Sequence, residues 1–376
     1  MISTVVLIAL LLILVIGWFV MLSKLLWAVR TFRQHAFMTD KSILSEQPSV
    51  SVCIPSRNET HDMTECLEKV IASTYPKFEI IVSDDHSHDN TPTLIKSFAH
   101  EGVRFVKTDK LPAGWLGKNH TLQHLANEAS GSIILFLDVD TRIEPETIEE
   151  LVAYMVDQSA DMVSVLPRRE DGWRFSTIFS PLRYFWELLF HSKTAPASSS
   201  NAWMIKKEVL ASLEGFNNYR HAIQPETSIA ADISRSGTYR FLIGTSMIGV
   251  NYEKKWRSQI STSVRLLYPL SGGRLIGGLL AMSGLVLLTL PLLYCLKGVM
   301  FGWGVEQWIS LSIIVMYQIL YSVYTFHVWK KGWLIGALLW PLIIVQETLA
   351  MIVSIERYIR GAVTWRGRPI SIKPRQ

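Results

Sequence analysis

Apolar segments at both ends of the chain constrain its fold more than any other feature of the sequence. Residues 3–23 are uncharged and almost wholly aliphatic, and a helix of this length crosses about 30 Å of hydrocarbon. Basic residues follow this run instead of preceding it, which favours a retained membrane anchor over a cleaved signal peptide. We predict a transmembrane anchor over residues 1–24 and a basic juxtamembrane linker over residues 25–47, which the positive-inside tendency places in the cytoplasm.

Three further apolar segments, residues 275–296, 307–326 and 333–355, are each long enough to span a membrane. The last one contains Glu347, and an acidic side chain within a membrane helix is costly. Three crossings would also put the basic C-terminal tail outside, against the positive-inside tendency. We predict a membrane-helix region with a basic tail over residues 263–376, in which the segment with Glu347 lies at the interface or re-enters.

The composition agrees with a protein that is part membrane and part globular. Hydrophobic residues make up 49% and charged residues 18%, which is too apolar for an ordinary soluble enzyme and too polar for membrane spans alone. The formal net charge is +5, and basic residues beside apolar segments indicate anionic lipid headgroups as partners, with no nucleic acid. Three scattered cysteines provide neither a disulfide framework nor a zinc site. We therefore predict a multi-pass protein of the cell membrane with a cytoplasmic main domain.

Short β-rich runs alternate with helical segments between residues 48 and 166. Strands are predicted at residues 49–54, 78–83, 103–107, 132–137 and 161–166, and helices at residues 62–73, 91–99, 118–129 and 145–157. Strands this apolar are covered on both faces, so the alternation predicts an α/β, Rossmann-like fold with a mostly parallel sheet. Such sheets bind ligands at the carboxyl ends of their strands, and the polar clusters of the sequence fall at those ends.

Asp138 and Asp140 follow an apolar strand directly, separated by one residue. Two carboxylates in this arrangement can turn toward one hard cation, Mg²⁺ or Mn²⁺, which binds oxygen ligands. A divalent metal held there would bridge two phosphates and neutralise charge that develops on a nucleoside-diphosphate leaving group. The alternative is a pair of solvated loop acids.

Three more clusters occupy strand-to-helix junctions. Asp84 and Asp85 precede a helix, where they either recognise a nucleoside or cap the helix. Lys118, at the start of a later helix, would bring its ammonium and nearby backbone N–H groups to a diphosphate, or is an ordinary solvated side chain. Residues 55–59 follow the first strand, and we predict that Pro55, Arg57 and Glu59 among them bind the donor.

In their order and spacing, these motifs resemble those of family 2 glycosyltransferases with the GT-A fold. The resemblance implies a GT-A domain over residues 48–262 and a nucleotide-diphosphate sugar as donor. It implies donor contacts for Glu59, Asp84 and Asp85, and donor and metal contacts for Asp138 and Asp140. Residues 256–262 and 364–372 are similar to the members of this family that glycosylate carotenoid carboxylic acids. That similarity implies UDP-glucose as donor and a lipid or carotenoid acceptor.

The resemblance also implies a catalytic base. Family members carry a Glu-Asp pair that opens a helix, and here Pro225 replaces the first acid, so that Glu226 occupies the base position. The Gln-x-x-Arg-Trp signature of processive synthases is absent, although Trp256 and Arg257 lie where it would be sought. We assign these two residues to the acceptor or phosphate side and expect a single sugar transfer.

The aromatic-rich segment 173–190 is either a buried helix of the domain or an amphipathic helix in the membrane interface. We favour the interface. The sequence therefore predicts an inverting membrane glycosyltransferase that acts on a lipophilic acceptor. The alternatives are a processive polysaccharide synthase, a polyprenyl-phosphate sugar transferase and a non-catalytic membrane scaffold.

Overall fold

The computed structural model of the protein describes residues 4–34, 47–169, 174–329, 331–365 and 367–370. Its strands are β1 Val50–Ser56, β2 Phe78–Asp84, β3 Val103–Lys107, β4 Ile133–Leu137, β5 Thr141–Ile143, β6 Met162–Leu166, β7 Ala202–Lys206, β8 Tyr239–Ile243, β9 Val250–Tyr252, β10 Thr364–Trp365 and β11 Arg368–Pro369. Its α-helices are α1 Thr4–Gln34, α2 Met63–Ile71, α3 Thr91–Ser97, α4 Gly117–Glu128, α5 Thr147–Asp157, α6 Phe175–Ile178, α7 Arg183–Phe190, α8 Lys207–Ser212, α9 Pro225–Ser234, α10 Trp256–Leu270, α11 Leu275–Phe301, α12 Val305–Val328, α13 Trp333–Leu338 and α14 Trp340–Ile359.

A seven-stranded sheet in the order β3-β2-β1-β4-β7-β6-β8 forms the centre of the globular part. Strands β2 and β4 both pair in parallel with β1, and β3 pairs in parallel with β2. The predicted mostly parallel α/β sheet is confirmed, and its five predicted strands are present. Because these strands are parallel, the polar segments that follow β1, β2 and β4 emerge at one edge of the sheet.

Strands β7 and β8 extend the sheet beyond the sequence prediction. Strand β7 runs antiparallel to both β4 and β6, whereas β8 is parallel to β6. Strand β7 is buried along most of its length, and it brings the polar residues just before it to the end of β4. Strands β5 and β9 form a separate antiparallel pair beside the same region.

Helices α1, α11 and α12 are, in the described part of the chain, the ones long and apolar enough to cross a membrane by length and composition. Helix α1 continues to Gln34, so the beginning of the predicted juxtamembrane linker is helical. Residues 35–46 of that linker lie outside the described residues. The indole of Trp18 on α1 donates a hydrogen bond to the carbonyl oxygen of Met316 on α12 at 2.7 Å, which ties the N-terminal helix to the C-terminal ones.

The predicted segment 333–355 is broken into α13 and α14 at Leu339. Pro341, next after the first residue of α14, suits the first turn of a new helix because it has no N–H to donate. Glu347 is fully buried and accepts a hydrogen bond from the backbone N–H of Leu182 at 3.4 Å. Gln346 donates to the carbonyl oxygen of Phe179 at 3.1 Å. These polar groups of α14 thus contact the catalytic half of the chain.

The predicted continuous helix over residues 173–190 is wrong. Two short helices, α6 and α7, are separated by residues 179–182, where Pro181 disfavours a helical conformation for Ser180. Phe185 is buried, whereas Phe190 is exposed, so α7 is partly a core helix and partly a surface one. Trp173 lies outside the described residues. Helix α10 crosses the predicted domain boundary at residue 262 without a break.

Candidate active site

Most of the donor-binding residues predicted from sequence line one cavity at the carboxyl edge of the sheet. This cavity has a volume of about 260 Å³. The predicted residues that line it are Pro55, Arg57, Glu59, Lys118, Asp138, Asp140 and Glu226. They come from four separate stretches of sequence, which the parallel strands and helix α9 bring together. Ligand sites of α/β sheets commonly lie at this position.

Each carboxylate of the Asp138–Asp140 pair contacts a lysine. The Asp138 carboxylate lies 2.7 Å from Nζ of Lys118 and accepts a hydrogen bond from the Ser200 hydroxyl at 3.1 Å. The Asp140 carboxylate lies 2.8 Å from Nζ of Lys254 and 3.4 Å from the Asn201 amide nitrogen. Two ammonium groups therefore neutralise the two acids at the position where a cation is predicted.

Asp85 is the buried acid of the Asp84–Asp85 pair, with 1% of its side chain exposed. Its backbone N–H donates to the carbonyl oxygen of Ser56 at 2.9 Å, and the Arg57 guanidinium donates to the carbonyl oxygens of Asp85 and His86. Burial raises the pKa of Asp85, against the opposing effect of Arg368 and Arg57. Arg57 thus fixes the loop that presents Asp85, a role that sequence alone did not assign to it.

Asp84 has a local structural role. Its carboxylate accepts a hydrogen bond from the backbone N–H of Ser87 at 3.2 Å, and Asp84 is not among the residues that line the described cavity. Nearby Asp89 accepts hydrogen bonds from the hydroxyls of Thr60 and Thr91 at 2.7 and 2.6 Å. Asp84 thus holds the loop before α3, whose N-cap residue Asn90 makes no side-chain capping hydrogen bond, and Asp85 is left as the acid of this pair suited to ligand recognition.

Glu226 lies in the first turn of α9 and is 2% exposed. The amide of Asn119 donates to the carbonyl oxygens of Tyr219 and Ala222, both at 2.8 Å, and so holds the loop that leads into α9. Burial raises the pKa of Glu226, while Lys118 and Arg183 act in the opposite direction. A carboxylate with a raised pKa is a stronger base than an exposed one.

The C-terminal tail reaches this site. Strands β10 and β11 form an antiparallel hairpin, and Thr364, Arg368 and Ile370 line the cavity. Arg368 Nη1 lies 2.9 Å from a carboxylate oxygen of Asp85. The positive charge of the tail predicted a cytoplasmic location, and the described part of the tail contacts the donor side of the cavity. Residue Arg366 and residues 371–376, which hold the other basic groups of the tail, lie outside the described residues.

Gly117 occupies a crowded position between the tail and the acid. A Cβ atom at Gly117 would lie 3.0 Å from both Asp85 Oδ2 and Arg368 Nη1. Such a contact forces its neighbours to shift, so glycine is the residue that allows the start of α4 to approach Asp85.

A second, apolar cavity of about 860 Å³ lies among α1, α7, α10, α11 and α12. Its lining includes Met21, Trp186, Leu267, Leu285, Tyr317 and Met351. Arg183 and Gln224 line both this cavity and the polar one. The two cavities are therefore neighbours, and Arg183 and Gln224 form their shared wall.

Residues 51–212 match the model of a known protein family, Glycosyl transferase family 2. The chain carries a family 2 glycosyltransferase domain. The predicted family and the GT-A fold are thereby confirmed for this domain. The matched residues include β1 to β7 with the Asp138–Asp140 pair, but they end before Glu226.

Two similar proteins each match about a third of this chain. Glycosyltransferase AglE of Haloferax volcanii is 30% identical over 123 residues, which are 32% of this chain and 39% of that protein. Undecaprenyl-phosphate 4-deoxy-4-formamido-L-arabinose transferase of Proteus mirabilis is 32% identical over 133 residues, 33% of this chain and 39% of that protein. The chain thus spans about two fifths of the length of these relatives.

One solved structure resembles this chain over nearly its whole length. The mannosyltransferase PcManGT from Pyrobaculum calidifontis, in complex with GDP-Man and Mn²⁺, superposes with a TM-score of 0.55 at 16% identity. The superposition covers 93% of this chain and 98% of PcManGT. The likeness shows a shared fold that includes the C-terminal helices.

The donor set at Asp138 and Asp140 fits a divalent cation that shares its ligands with a diphosphate. Among the described residues, no group of three or more His, Cys, Asp and Glu side chains forms a metal site. Two carboxylate oxygens are hard ligands, and Mg²⁺ in phosphate-transfer sites is commonly held by one or two carboxylates together with substrate phosphates. The glycosyltransferase site therefore suits a metal that arrives with, or is completed by, the donor.

Several residues of the glycosyltransferase site carried no distinct sequence signal. The carboxylates of Asp138 and Asp140 are contacted by Lys254, Ser200 and Asn201. In the sequence, only the polar residues just before β7 indicated such contacts. Arg183 and Arg265 line the cavity from α7 and α10. Basic side chains in amphipathic segments are typical of a protein or membrane surface, so the sequence did not indicate that these two line a cavity.

Trp256 and Arg257 lie away from the cavity. The Trp256 indole donates to the side-chain oxygen of Gln346 on α14 at 2.9 Å, and Arg257 is exposed. Neither is among the residues that line the cavity in the described structure. The opposite face of α10 supplies Ser258, Ser261, Thr262 and Arg265 instead. The similarity thus identified the correct helix and the wrong face of it.

Proposed function

We propose that this protein is an inverting membrane glycosyltransferase that transfers one sugar from a nucleotide-diphosphate donor to a lipophilic acceptor. The shared wall of Arg183 and Gln224 carries this proposal, because it sets an apolar cavity of about 860 Å³ directly beside the polar one. A soluble acceptor would not require such a cavity among membrane helices. An apolar chain can lie there while its reactive head reaches Glu226.

On the donor side, Asp85 is suited to a nucleobase. Its carboxylate is ion-paired with Arg368 but accepts no hydrogen bond of good geometry from the described residues, so it would accept one from an N–H group of a base such as uracil. We take UDP-glucose as the first donor to test, from the similarity to carotenoid-acid glycosyltransferases. PcManGT was solved with GDP-Man and Mn²⁺, which supports a nucleotide-diphosphate sugar and a divalent metal as a class.

Asp138 and Asp140 would hold Mg²⁺ or Mn²⁺ together with the donor diphosphate. The metal would supply charge neutralisation for the leaving nucleoside diphosphate. Lys118 and Lys254, freed from the two carboxylates, would turn to the diphosphate oxygens as further cations. The metal site itself is too positive to act as a base, which assigns the acceptor side to Glu226.

For a hydroxyl acceptor, Glu226 would take the proton as the acceptor oxygen attacks the anomeric carbon opposite the leaving diphosphate. This direct displacement inverts the anomeric configuration. Glu226 is buried and carries a raised pKa, two properties that general bases share.

The topology that we propose places the catalytic domain and the C-terminal tail on the same, cytoplasmic side. The ion pair between Arg368 and Asp85 requires an even number of crossings between them, and α11 with α12 makes two. Helix α14 would lie at the interface, with Gln346 and Glu347 turned to the catalytic half. Cysteine labelling near residue 370 from outside intact cells would contradict this arrangement.

A polyprenyl-phosphate sugar transferase is the second candidate. The P. mirabilis relative is named as an undecaprenyl-phosphate transferase, and a polyprenyl chain also suits an apolar cavity. A carotenoid carboxylic acid is the acceptor that the sequence similarity favours. A processive polysaccharide synthase has less support because Trp256 and Arg257 lie outside the cavity. The presence of Asp138, Asp140 and Glu226 in one site argues against a non-catalytic scaffold.

The test incubates membranes that contain the protein with a panel of labelled nucleotide sugars and follows the label into the organic extract. We expect label from UDP-glucose in a lipid that carries one inverted sugar. Label in a growing glycan would support a synthase. The proposed function would be contradicted if the protein bound its donor normally but no label entered the organic extract with any donor or acceptor extract.

A further inference from the structure

The polar cavity has two arginines, one in the shared wall and one in α10, that the donor chemistry does not use. Arg183, in α7, is 10% exposed, and its Nε donates to the Glu187 carboxylate at 2.8 Å. Its guanidinium carbon also lies 4.7 Å from the centroid of the Tyr184 ring. Arg265, in α10, lines the polar cavity beside Leu266. Helix α10 gives Leu267 and Leu270 to the apolar cavity at the same point.

Both arginines keep a shielded N–H group without a partner. Arg183 Nη2 and Arg265 Nε are inaccessible to solvent and make no hydrogen bond within the described residues. Arg265 also takes part in no ion pair in that part of the chain, although Arg183 pairs with Glu187. Buried cations are costly unless an anion compensates them. Glu187 and Glu226 supply part of the compensating charge, and the unbonded N–H groups leave donors for a further anion.

The electrostatics of the pair agree with this geometry. Burial lowers the pKa of Arg183, but Tyr184 and Glu187 raise it more, so the group stays charged. Burial and the neighbouring Arg183 lower the pKa of Arg265. Two guanidinium groups that repel each other are both stabilised by an anion placed between them.

We infer that Arg183 and Arg265 bind the anionic head of the acceptor, so that the acceptor is a lipid whose nucleophile is an oxyanion, a carboxylate or a phosphate. This inference rests on the proposed function. The apolar tail lies in the cavity lined by Trp186 and Leu285, and the oxyanion lies at the shared wall. Bidentate pairing with carboxylate or phosphate is the geometry that guanidinium groups favour.

The transfer step balances without a proton acceptor. The acceptor oxygen forms a bond to the anomeric carbon with its own electron pair. The bond between that carbon and the diphosphate oxygen breaks, and the nucleoside diphosphate leaves with that pair. A carboxylate gives a glycosyl ester, and a lipid phosphate gives a glycosyl phosphodiester. No proton is removed from the acceptor, so the base function of Glu226 is needed only for hydroxyl acceptors.

Direct binding of matched lipids to the full-length protein in nanodiscs tests the inference without turnover. The carboxylate arm compares tritiated retinoic acid with retinol, and the phosphate arm compares farnesyl phosphate with farnesol, both at pH 8. We expect at least one anion to bind about tenfold or more tightly than its alcohol, since charge-assisted bonds in a shielded site favour the anion. The arm with the larger preference identifies the natural head group. Equal binding of acid and alcohol in both arms would overturn the inference.

Substitutions then locate the preference. Arg265→Gln should lower anion binding about tenfold or more and leave alcohol binding unchanged. Arg183→Gln alone would leave the Glu187 carboxylate without its ion-pair partner. The double substitution Arg183→Gln/Glu187→Gln therefore tests Arg183. Arg235→Gln, on the exposed end of α9, is the matched control. An anion preference that survives both changes would contradict the inference, as would a loss confined to the binding of UDP-glucose.

The proposed transferase function and the proposed oxyanion site can be rejected independently of each other. Anion-selective lipid binding without transfer from any nucleotide sugar would retain the binding site and reject the transferase function. Transfer to neutral alcohols with no anion preference would retain the transferase and reject the oxyanion site.

Discussion

Metal affinity should rise when Lys254 is replaced by glutamine. The Lys254 ammonium lies 2.8 Å from the Asp140 carboxylate, and both side chains are mostly buried, with 19% and 16% exposed. A cation that binds Asp140 must displace this ammonium first. Lys254→Gln removes the competitor and leaves the carboxylate free, so the apparent dissociation constant for Mn²⁺ should fall.

The magnitude follows from the geometry. Two unit charges 2.8 Å apart attract by about 6 kcal/mol at an effective dielectric constant of about 20. Most of this attraction is offset by desolvation and by the residual exposure of both groups, which leaves a net value of about 1–2 kcal/mol. This corresponds to about 5–30-fold tighter Mn²⁺ binding.

The assay counts free Mn²⁺ by electron paramagnetic resonance as the ion is titrated into protein with and without UDP. It reports binding and not turnover, which matters because Lys254 is also expected to contact the donor diphosphate. Lys255→Gln is the matched control, since Lys255 is the exposed neighbour of Lys254. Unchanged or weaker Mn²⁺ binding in Lys254→Gln would refute the view that the lysine occupies the cation position.

The other predictions concern the remaining parts of the site. Asp140→Asn should lower transfer by orders of magnitude with the fold intact by circular dichroism, and full wild-type activity in excess chelator would show that no metal is needed. Glu226→Gln should lower transfer to a hydroxyl acceptor by about 10²–10⁴-fold, and to a carboxylate acceptor by less than about tenfold. Because burial raises the pKa of Glu226 and a base must be ionised, transfer to a hydroxyl should rise with pH through that raised value, whereas the variant should lack this rise. Gly284→Phe, in an open position on the wall of the apolar cavity, should raise the acceptor KM with the donor KM unchanged. Equal effects of Gly17→Phe, outside that wall, would show that the apolar cavity is not the acceptor site.

The catalytic half of the fold was predictable because its signals are local. Five apolar runs bounded by turn residues gave the five strands, and the acids at their ends gave Asp85, Asp138 and Asp140. Parallel pairing then places those ends at one edge, whatever the distance between them in sequence. The antiparallel strand β7 was not predicted, because its position between β4 and β6 is set by tertiary pairing.

The acceptor half was less predictable because its groups contact partners far away in sequence. Arg183 follows Pro181 in an aromatic-rich stretch, a pattern that is typical of a membrane interface. Only the packing of α7 against α1 and α12 makes Arg183 part of the wall of the catalytic cavity. The charge of the basic tail likewise predicted only its side of the membrane, whereas Arg368 reaches Asp85 across more than half the chain.

An anionic acceptor also explains why a buried carboxylate stands opposite two arginines. Guanidinium groups that hold an oxyanion lower its nucleophilicity, because they stabilise the charge that attack must remove. Glu226, 2% exposed in the same cavity, adds negative potential that partly offsets this stabilisation. Glu226 then acts without proton transfer. Its replacement by glutamine should lower transfer to a carboxylate acceptor only by the small factor expected above. A hydroxyl acceptor in the same site would need Glu226 as a base beside cations that lower its basicity. The size of the Glu226→Gln effect on each acceptor class therefore separates the two chemistries within one site.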